Sequence, residues 1–179
     1  MLRAKNAALI VIDVQGKLAT LMREKESLFA NVIRMINGAK ALEIPIIWTE
    51  QLPDKLGETS PEIKEVLQGM SPLVKKTFSC CGDDIFLKQL SSLNRKQILL
   101  TGIETHVCVY QTAMDLLNSG YEVHLVRDAV SSRIEENYHL GVEKIKDAGA
   151  KLTSVEMSLF EMLQVAEGEK FKQIIRIVK

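Results

Sequence analysis

The sequence of 179 residues has no excess of charge of either sign. Its 23 lysines and arginines balance its 23 aspartates and glutamates, so no basic surface for nucleic acid or anionic membrane is expected. Long apolar runs are also missing. The run at 7–12 is far below the roughly 18 residues of a membrane-spanning helix, and Asp13 follows too soon for a signal peptide. We therefore expect a protein that binds neither nucleic acid nor membrane.

Cysteines are few, and the common nucleotide-binding and hydrolase motifs are missing. Three cysteines, an odd number, are more typical of the reducing cytosol than of a disulfide framework, so we expect a cytoplasmic protein. The patterns G-x-G-x-x-G, G-x-x-x-x-G-K-[ST] and G-x-S-x-G do not occur, which argues against dinucleotide binding, P-loop chemistry and a serine hydrolase. The three histidines are scattered, and we expect neither a metal nor a cofactor.

Apolar segments alternate with segments of helical periodicity along the chain. The run at 7–12 is apolar throughout, as is typical of strands covered on both faces of a parallel sheet. Further strands are predicted at 44–48, 73–74, 98–101, 122–126 and 152–155, and helices at 28–39, 62–68, 83–93, 106–119, 137–148 and 158–165. Ser158 is the predicted N-cap of the last helix, with Glu161 completing a capping box. This alternation predicts a single α/β domain over residues 1–179, in three α/β/α layers, with a six-stranded, mostly parallel, Rossmann-like sheet.

Chemically useful side chains follow several of the predicted strands. Asp13 follows the first strand, Lys75 and Lys76 follow the third, and Cys108 comes shortly after the fourth. Ligands of open parallel sheets bind beyond the carboxyl ends of the strands, where these side chains meet. Each also has a structural alternative: Asp13 as a turn cap, the lysines as surface charges, and Cys108 as a small core residue.

Cys108 lies at the predicted start of a helix, after an apolar strand and a short turn. The positive end of a helix lowers a cysteine pKa from about 8.5 toward neutrality, which favours a reactive thiolate. His106 is two positions away and points to another side of a helix, so a Cys–His dyad is not expected. Cys80 and Cys81 lack the spacing of a redox or zinc motif and are interpreted as small turn residues.

Four segments together resemble the isochorismatase-like cysteine hydrolases. They are LIVIDVQ at 9–15, KKTFS at 75–79, TGIETHVCV at 101–109 and RDAVSSR at 127–133. The correspondence extends from residue 8 to about residue 163. The stretches 49–59 and 78–82 are similar to the subgroup of small isochorismatase-domain proteins, whose substrates are mostly unassigned.

The resemblance implies a catalytic triad of Asp13, Lys75 and Cys108. Lys75 is preferred to Lys76 because it stands four residues before Ser79, as the family pattern K-x-x-[FY]-S requires. The family fold implied here is the isochorismatase-like hydrolase fold, which agrees with the predicted α/β/α layers.

The resemblance also implies an oxyanion hole, and positions at the strand ends indicate a substrate pocket. A cis peptide bond at 103–104 turns the backbone N–H of Glu104 toward that of Cys108, and the two amides bind the oxyanion. Residues that flank the triad at the strand ends are the predicted substrate-binding residues: Gln15, Trp48, Gln51, Phe78, His106 and Tyr110. For Trp48 and Phe78, packing in the core is an equal alternative.

The implied activity is that of an isochorismatase-like amidohydrolase, which acts on C–N bonds other than peptide bonds. Small amides, ureido or carbamoyl compounds are the expected substrates, cleaved through a thioester, and a homo-oligomer is expected. Nicotinamidase activity is disfavoured because the loop after the second strand holds no histidine for a metal. True isochorismatases lack the nucleophilic cysteine that is present here. The alternative is a non-catalytic binding or scaffold protein that retains the hydrolase site.

Overall fold

The computed structural model describes all 179 residues and contains one sheet of six parallel strands, with helices on both faces. The strands are β1 Ala7–Ile12, β2 Ile46–Gln51, β3 Leu73–Lys75, β4 Gln97–Ile103, β5 Glu122–Ser131 and β6 Lys151–Thr153. Their order across the sheet is β3-β2-β1-β4-β5-β6. The predicted three-layer, Rossmann-like architecture is confirmed, and the strand order reverses direction between β1 and β4, where such sheets bind ligands.

Nine α-helices connect and cover the strands. They are α1 Gly16–Thr20, α2 Lys25–Ala41, α3 Pro53–Leu56, α4 Pro61–Val66, α5 Asp84–Ser92, α6 Tyr110–Asn118, α7 Glu135–Asp147, α8 Val155–Leu163 and α9 Gly168–Val178. Short 3₁₀ turns occupy Ala4–Asn6 and Cys80–Gly82, and a π-helical turn, Thr105–Val109, directly precedes α6. None of these helices combines the length and the apolar character needed to cross a membrane.

The two faces of the sheet carry separate hydrophobic cores. Every residue of β1 and β4 is buried, which explains why β1 is apolar throughout and β4 nearly so. Leu9 belongs to the core beneath α2 and α8, whereas its neighbour Ile10 belongs to the core beneath α5, α6 and α7. This alternation follows from the two-residue period of a strand.

The start of α8 differs from the sequence prediction. The helix begins at Val155, and its N-cap is Ser154, whose hydroxyl accepts a hydrogen bond from the Met157 amide at 3.1 Å. Ser158 lies inside the helix, fully buried, and donates to the Val155 carbonyl at 2.9 Å. The prediction was wrong because Ser158 and Glu161 match a capping box, but the helix begins earlier, and the Glu161 carboxylate accepts a hydrogen bond from the Leu2 amide at 2.8 Å.

Strands β1 and β4 approach each other closely at Gly102. This glycine has a φ of +110°, and an added Cβ would collide with the backbone of Ile12. Only glycine tolerates both conditions, because it has no Cβ and adopts positive φ freely. The close approach brings together the carboxyl ends of β1 and β4, which lead into Asp13 and Cys108.

We expect Gly102→Ala to lower the free energy of unfolding by about 3 kcal/mol or more, because backbone atoms cannot move aside for the new methyl group. Gly120→Ala is the matched control. Gly120 also has a positive φ, +77°, but nothing lies within 4 Å of its Cβ position, so the expected cost is about 1–2 kcal/mol. Urea unfolding followed by circular dichroism measures both losses, and equal losses would show that the close approach is unimportant.

Candidate active site

A small cavity opens at the point where the strand order reverses, between the carboxyl ends of β1 and β4. Its volume is about 80 Å³. The lining contains six predicted site residues, Asp13, Gln15, Gln51, Phe78, Glu104 and Cys108, and four apolar residues that were not predicted to line it, Leu18, Leu56, Ile103 and Val107. The structure therefore brings most of the sequence-predicted site residues to one place.

Lys75 and Asp13 form an ion pair that is shielded from solvent. The Lys75 Nζ lies 2.6 Å from Asp13 Oδ2, and the two side chains are 1% and 4% exposed. Nζ also donates to the carbonyls of Thr77 and Phe78, at 3.0 and 3.1 Å, so its three protons are all used. The other carboxylate oxygen, Asp13 Oδ1, accepts a hydrogen bond from the Thr49 hydroxyl at 2.7 Å. Both carboxylate oxygens are therefore held in place.

The neighbouring lysine points away from this pair. Lys75 is the last residue of β3 and is buried, whereas Lys76 is exposed, because successive residues of an extended chain face opposite sides. The structure thus pairs Asp13 with Lys75, the lysine that the family pattern favours.

Thr49 is a polar contact that the sequence analysis missed. It pairs with Ile12 across the β1–β2 ladder, and its carbonyl accepts a hydrogen bond from the Asp13 amide at 3.2 Å. A threonine that directly follows the apolar run of β2, one register step from the aspartate, was the available signal. Recognising that signal required the pairing register of the two strands.

Cys108 lies in the π-helical turn that precedes α6 and is almost fully buried. The predicted cis peptide bond at 103–104 is present, directly before this turn. The amides of Val107 and Val109 both donate to the Glu104 carbonyl, at 3.0 and 3.2 Å. The Cys108 Sγ lies 3.9 Å from Gln51 Oε1. The thiol therefore faces the cavity from the β4 side, opposite the strand end that carries Gln51.

Burial and the charge of Asp13 raise the pKa of the Cys108 thiol to about 12, and the smaller opposing effect of Lys75 does not offset them. The position of Cys108 at a helix start predicted a lowered pKa, and that prediction is wrong for the resting protein. Burial and the carboxylate beside the sulfur outweigh the effect of the helix end. At neutral pH Cys108 is thus a protonated thiol with a potential proton acceptor, Asp13, next to it.

Three predicted substrate-binding residues lie outside the cavity. Trp48 is buried in the core on the α2 side, since alternate β2 side chains face opposite cores. The Nδ1 atom of His106 is 2.9 Å from the Ser132 hydroxyl oxygen. The Tyr110 ring packs beside the opposite core, with the Lys144 Nζ 5.4 Å from its centroid. For Trp48 the alternative of core packing is the correct one, whereas Phe78 is half exposed at the cavity.

The Gln15 side chain reaches the cavity, but its amide is fully engaged with the chain. Its Nε2 donates to the carbonyls of Gln51 and Gly57 at 2.9 and 2.6 Å, and its Oε1 accepts from the Gln51 amide at 2.7 Å. The buried Glu50 carboxylate accepts from the amide and the hydroxyl of Thr59, both at 2.7 Å. These bonds hold α3 beside the cavity, so Gln15 fixes a wall of the site.

The second acidic side chain of the lining is also paired. The Glu104 carboxylate accepts hydrogen bonds from the backbone amide and the Nε of Arg133, each at 3.1 Å. The charges of Asp13 and Glu104 are therefore each balanced by one cation. Nowhere in the structure do three or more histidine, cysteine, aspartate or glutamate side chains form a group that could hold a metal ion.

We expect Lys75→Met to lower the free energy of unfolding by about 3–5 kcal/mol, because it leaves the buried Asp13 carboxylate without its counter-ion. Lys76→Met is the matched control, since that side chain is exposed and its replacement should change stability by less than about 0.5 kcal/mol. Urea unfolding at pH 7 compares the two variants. Similar losses for both would contradict the ion pair.

We expect the rate of Cys108 alkylation by iodoacetamide to be low at pH 7 and to rise as the pH approaches 12, where the thiol titrates. Asp13→Asn removes a charge that disfavours the thiolate, so alkylation should begin at a lower pH. If the pKa falls by one, the rate at pH 8 should rise about tenfold. Peptide mass spectrometry separates Cys108 from Cys81, whose pKa is raised by burial and by Asp115 rather than by Asp13, so Cys81 serves as the internal reference. An identical pH profile in the variant would show that Asp13 does not act on the thiol.

Comparison with known proteins places these features in a family. The sequence profile of the isochorismatase domain matches residues 7–157. The secreted isochorismatase effector Isc1 of Phytophthora sojae is 36% identical over 178 residues, covering 97% of this chain and 85% of that protein. The isochorismatase domain-containing protein 2 of Danio rerio is 33% identical over 177 residues, covering 99% and 89%.

Solved structures with the same fold are also similar to this chain. A Caenorhabditis elegans protein described as MAR1 ribonuclease has a TM-score of 0.92 and 36% identity, covering 99% of this chain and 91% of that one. The YcaC protein of Escherichia coli, described as an octameric hydrolase of unknown specificity, has a TM-score of 0.92 and 23% identity, covering 98% and 88%. The second likeness concerns the fold alone. Profile, relatives and fold agree, and the chain belongs to the isochorismatase family of hydrolases.

Proposed function

We propose that this protein is a cysteine amidohydrolase that cleaves a C–N bond of small amides, ureido or carbamoyl compounds through a thioester on Cys108. One observation carries the proposal: the thiol shares a small cavity with the Asp13 carboxylate, which Lys75 holds at 2.6 Å. A nucleophile, an adjacent base and a third group that orients the base are the parts that covalent acyl transfer requires.

In the first step, Asp13 accepts the thiol proton as Cys108 Sγ attacks the substrate carbonyl carbon. The raised pKa of Cys108 means that the proton stays on sulfur until a substrate is in place. The negative charge that develops on the carbonyl oxygen is bound by the backbone N–H groups of Glu104 and Cys108. Such a donor contributes about 3 kcal/mol to the transition state in other enzymes.

In the second step, the tetrahedral intermediate breaks its C–N bond, and Asp13 passes the proton to the departing nitrogen. An acyl thioester on Cys108 and a free amine or ammonia result. Asp13 then takes a proton from water, and the hydroxide formed attacks the thioester. The C–S bond breaks, the acid leaves, and the proton returns to sulfur. Throughout, the Lys75 ammonium stabilises the negative charge that moves between oxygen and sulfur.

A non-catalytic binding or scaffold protein is the alternative. The protonated, almost fully buried resting thiol favours it, because such a thiol is inert unless a substrate triggers proton transfer. In that case the cavity would bind a small molecule and no acyl group would appear on Cys108.

Ribonuclease activity, which the description of the C. elegans relative names, is not part of the proposal. The cavity is lined by no lysine or arginine, whereas phosphate contacts depend on such cations. The equal numbers of basic and acidic residues in the chain also argue against binding of RNA.

We also propose a cytoplasmic homo-oligomer. All three cysteines are free, as suits a reducing compartment. Several large apolar side chains are more than half exposed and would be covered in an assembly: Ile85, Ile134, Leu140, Met157 and Val165. The octameric E. coli relative supports the same view.

We expect Cys108→Ala to lower the hydrolysis of any accepted amide by more than about a thousandfold, as loss of a nucleophile does elsewhere. Circular dichroism should show an unchanged fold. Cys81→Ala is the matched control, because Cys81 does not line the cavity and its loss should leave turnover unchanged. Intact-protein mass spectrometry during turnover should detect an acyl adduct on the unaltered chain and none on Cys108→Ala. Turnover by Cys108→Ala within a few fold of the unaltered protein would refute the proposal.

A further inference from the structure

We propose that this site selects uncharged carboxamides with a short aliphatic acyl group, and that Gln51 binds their amide. The inference rests on the proposed function, because it concerns the substrate of the same cavity. Four properties of the cavity indicate this class of compound: its volume, the charges around it, the hydrogen bonds of the Gln51 amide and its apolar lining.

The size of the cavity limits the acyl group. Its volume is about 80 Å³, about half that of the engineered cavity of roughly 150 Å³ that binds benzene in another protein. About three or four non-hydrogen atoms therefore fit beside the thiol. An aromatic ring exceeds this space, so propionamide and butyramide match the cavity better than benzamide does.

The charges around the cavity disfavour an ionised substrate. Lys75 uses its three protons on Asp13 and on two carbonyls, and the carboxylate of Glu104 is paired with Arg133. No lysine or arginine side chain remains in the lining to accept a substrate carboxylate. Burying an anion without a partner is costly. The acyl chain is therefore expected to carry no charge.

The Gln51 amide makes only long, weak hydrogen bonds, which a substrate carboxamide can replace. Its Nε2 donates to the carbonyls of Lys76 and Thr77 at 3.4 and 3.3 Å, and its Oε1 accepts from the Cys108 thiol at 3.9 Å. A glutamine amide offers both donors and acceptors, and these complement the donors and acceptors of a substrate amide. Gln15, by contrast, has short bonds from both ends of its amide to the chain.

The remaining walls are apolar and are fixed by the fold. Leu18, Leu56, Ile103 and Val107 surround the polar end that holds the thiol. Each buried methylene of a substrate contributes about 0.8 kcal/mol, close to a fourfold gain in affinity. The value of kcat/KM should therefore rise with acyl chain length from acetamide to butyramide. It should stop rising when the acyl group fills the cavity.

A panel of four compounds tests the inference: propionamide, butyramide, succinamate and benzamide. The readouts are kcat/KM and the acyl adduct on Cys108 by mass spectrometry. We expect the two short uncharged amides to exceed succinamate and benzamide by at least about tenfold in kcat/KM, which corresponds to about 1.4 kcal/mol. Preferential acylation by succinamate or benzamide would overturn the inference and leave the proposed hydrolase intact.

If no amide acylates Cys108, the proposed function fails. Binding of the same four compounds, measured by ligand-observed NMR, then tests whether the cavity selects short uncharged amides. Binding of butyramide without binding of succinamate would support the selection of uncharged amides. The opposite order, or no binding by either, would overturn it.

A charge placed in the wall gives a second, independent test. Leu56 is 40% exposed, so Leu56→Lys should fold and should supply the missing cation. The ratio of kcat/KM for succinamate to that for butyramide should then rise about tenfold. Leu87→Lys is the matched control, because Leu87 is 38% exposed and lies in α5, outside the lining. An unchanged ratio in Leu56→Lys, or the same rise in both variants, would contradict the charge argument.

Discussion

The buried ion pair between Asp13 and Lys75 is the interaction on which the site depends. It joins the end of β1 to the end of β3, two strands that flank β2 in the sheet. Both side chains are almost completely removed from solvent, so neither charge is stable without the other. The Thr49 hydroxyl fixes the second oxygen of the carboxylate. The aspartate is therefore presented to the cavity in one orientation, with its charge already compensated.

The same carboxylate contributes to the protonation state of the thiol. Burial and, after it, the charge of Asp13 keep Cys108 protonated, although Lys75 favours the thiolate. In the proposed reaction the proton moves only when the sulfur attacks a carbonyl, and the charge then passes from the carboxylate to the oxyanion hole. A protein with such a site has a thiol that is protected from adventitious oxidation and alkylation, since only the thiolate reacts readily. The small, mostly apolar cavity adds a limit on which carbonyl compounds reach it.

Much of this arrangement could be predicted from the sequence because it depends on strand ends. The alternation of apolar and helical segments indicated the parallel sheet, and the strand-end rule then brought Asp13, Lys75 and Cys108 to one edge. Trp48 and Thr49 show where this reasoning stops. Which of two neighbouring strand residues faces the site depends on the phase of the strand, and a strand buried on both faces, as β2 is, does not reveal its phase by alternation.

The electrostatics of the thiol could not be predicted for a related reason. The helix-end argument treated Cys108 by itself, whereas its pKa depends on the distance to Asp13 and on burial, which are tertiary properties. His106 lies outside the cavity lining. The chain before α6 forms a π-helical turn, in which side chains point in other directions than in an ordinary first turn. The sequence pattern thus indicated the strands, the helices and the position of the site. The pKa of Cys108 and the direction of the His106 side chain depend on tertiary packing.

The pH dependence of kcat/KM on a short uncharged amide tests the central claim most directly, namely that Asp13 takes the proton from Cys108 during attack. If the proton is transferred within the site, kcat/KM should be nearly constant between pH 7 and 10, because the resting thiol does not titrate there. A rate that rises tenfold with each pH unit over this range would mean that a preformed thiolate is the reacting species, and it would contradict the account.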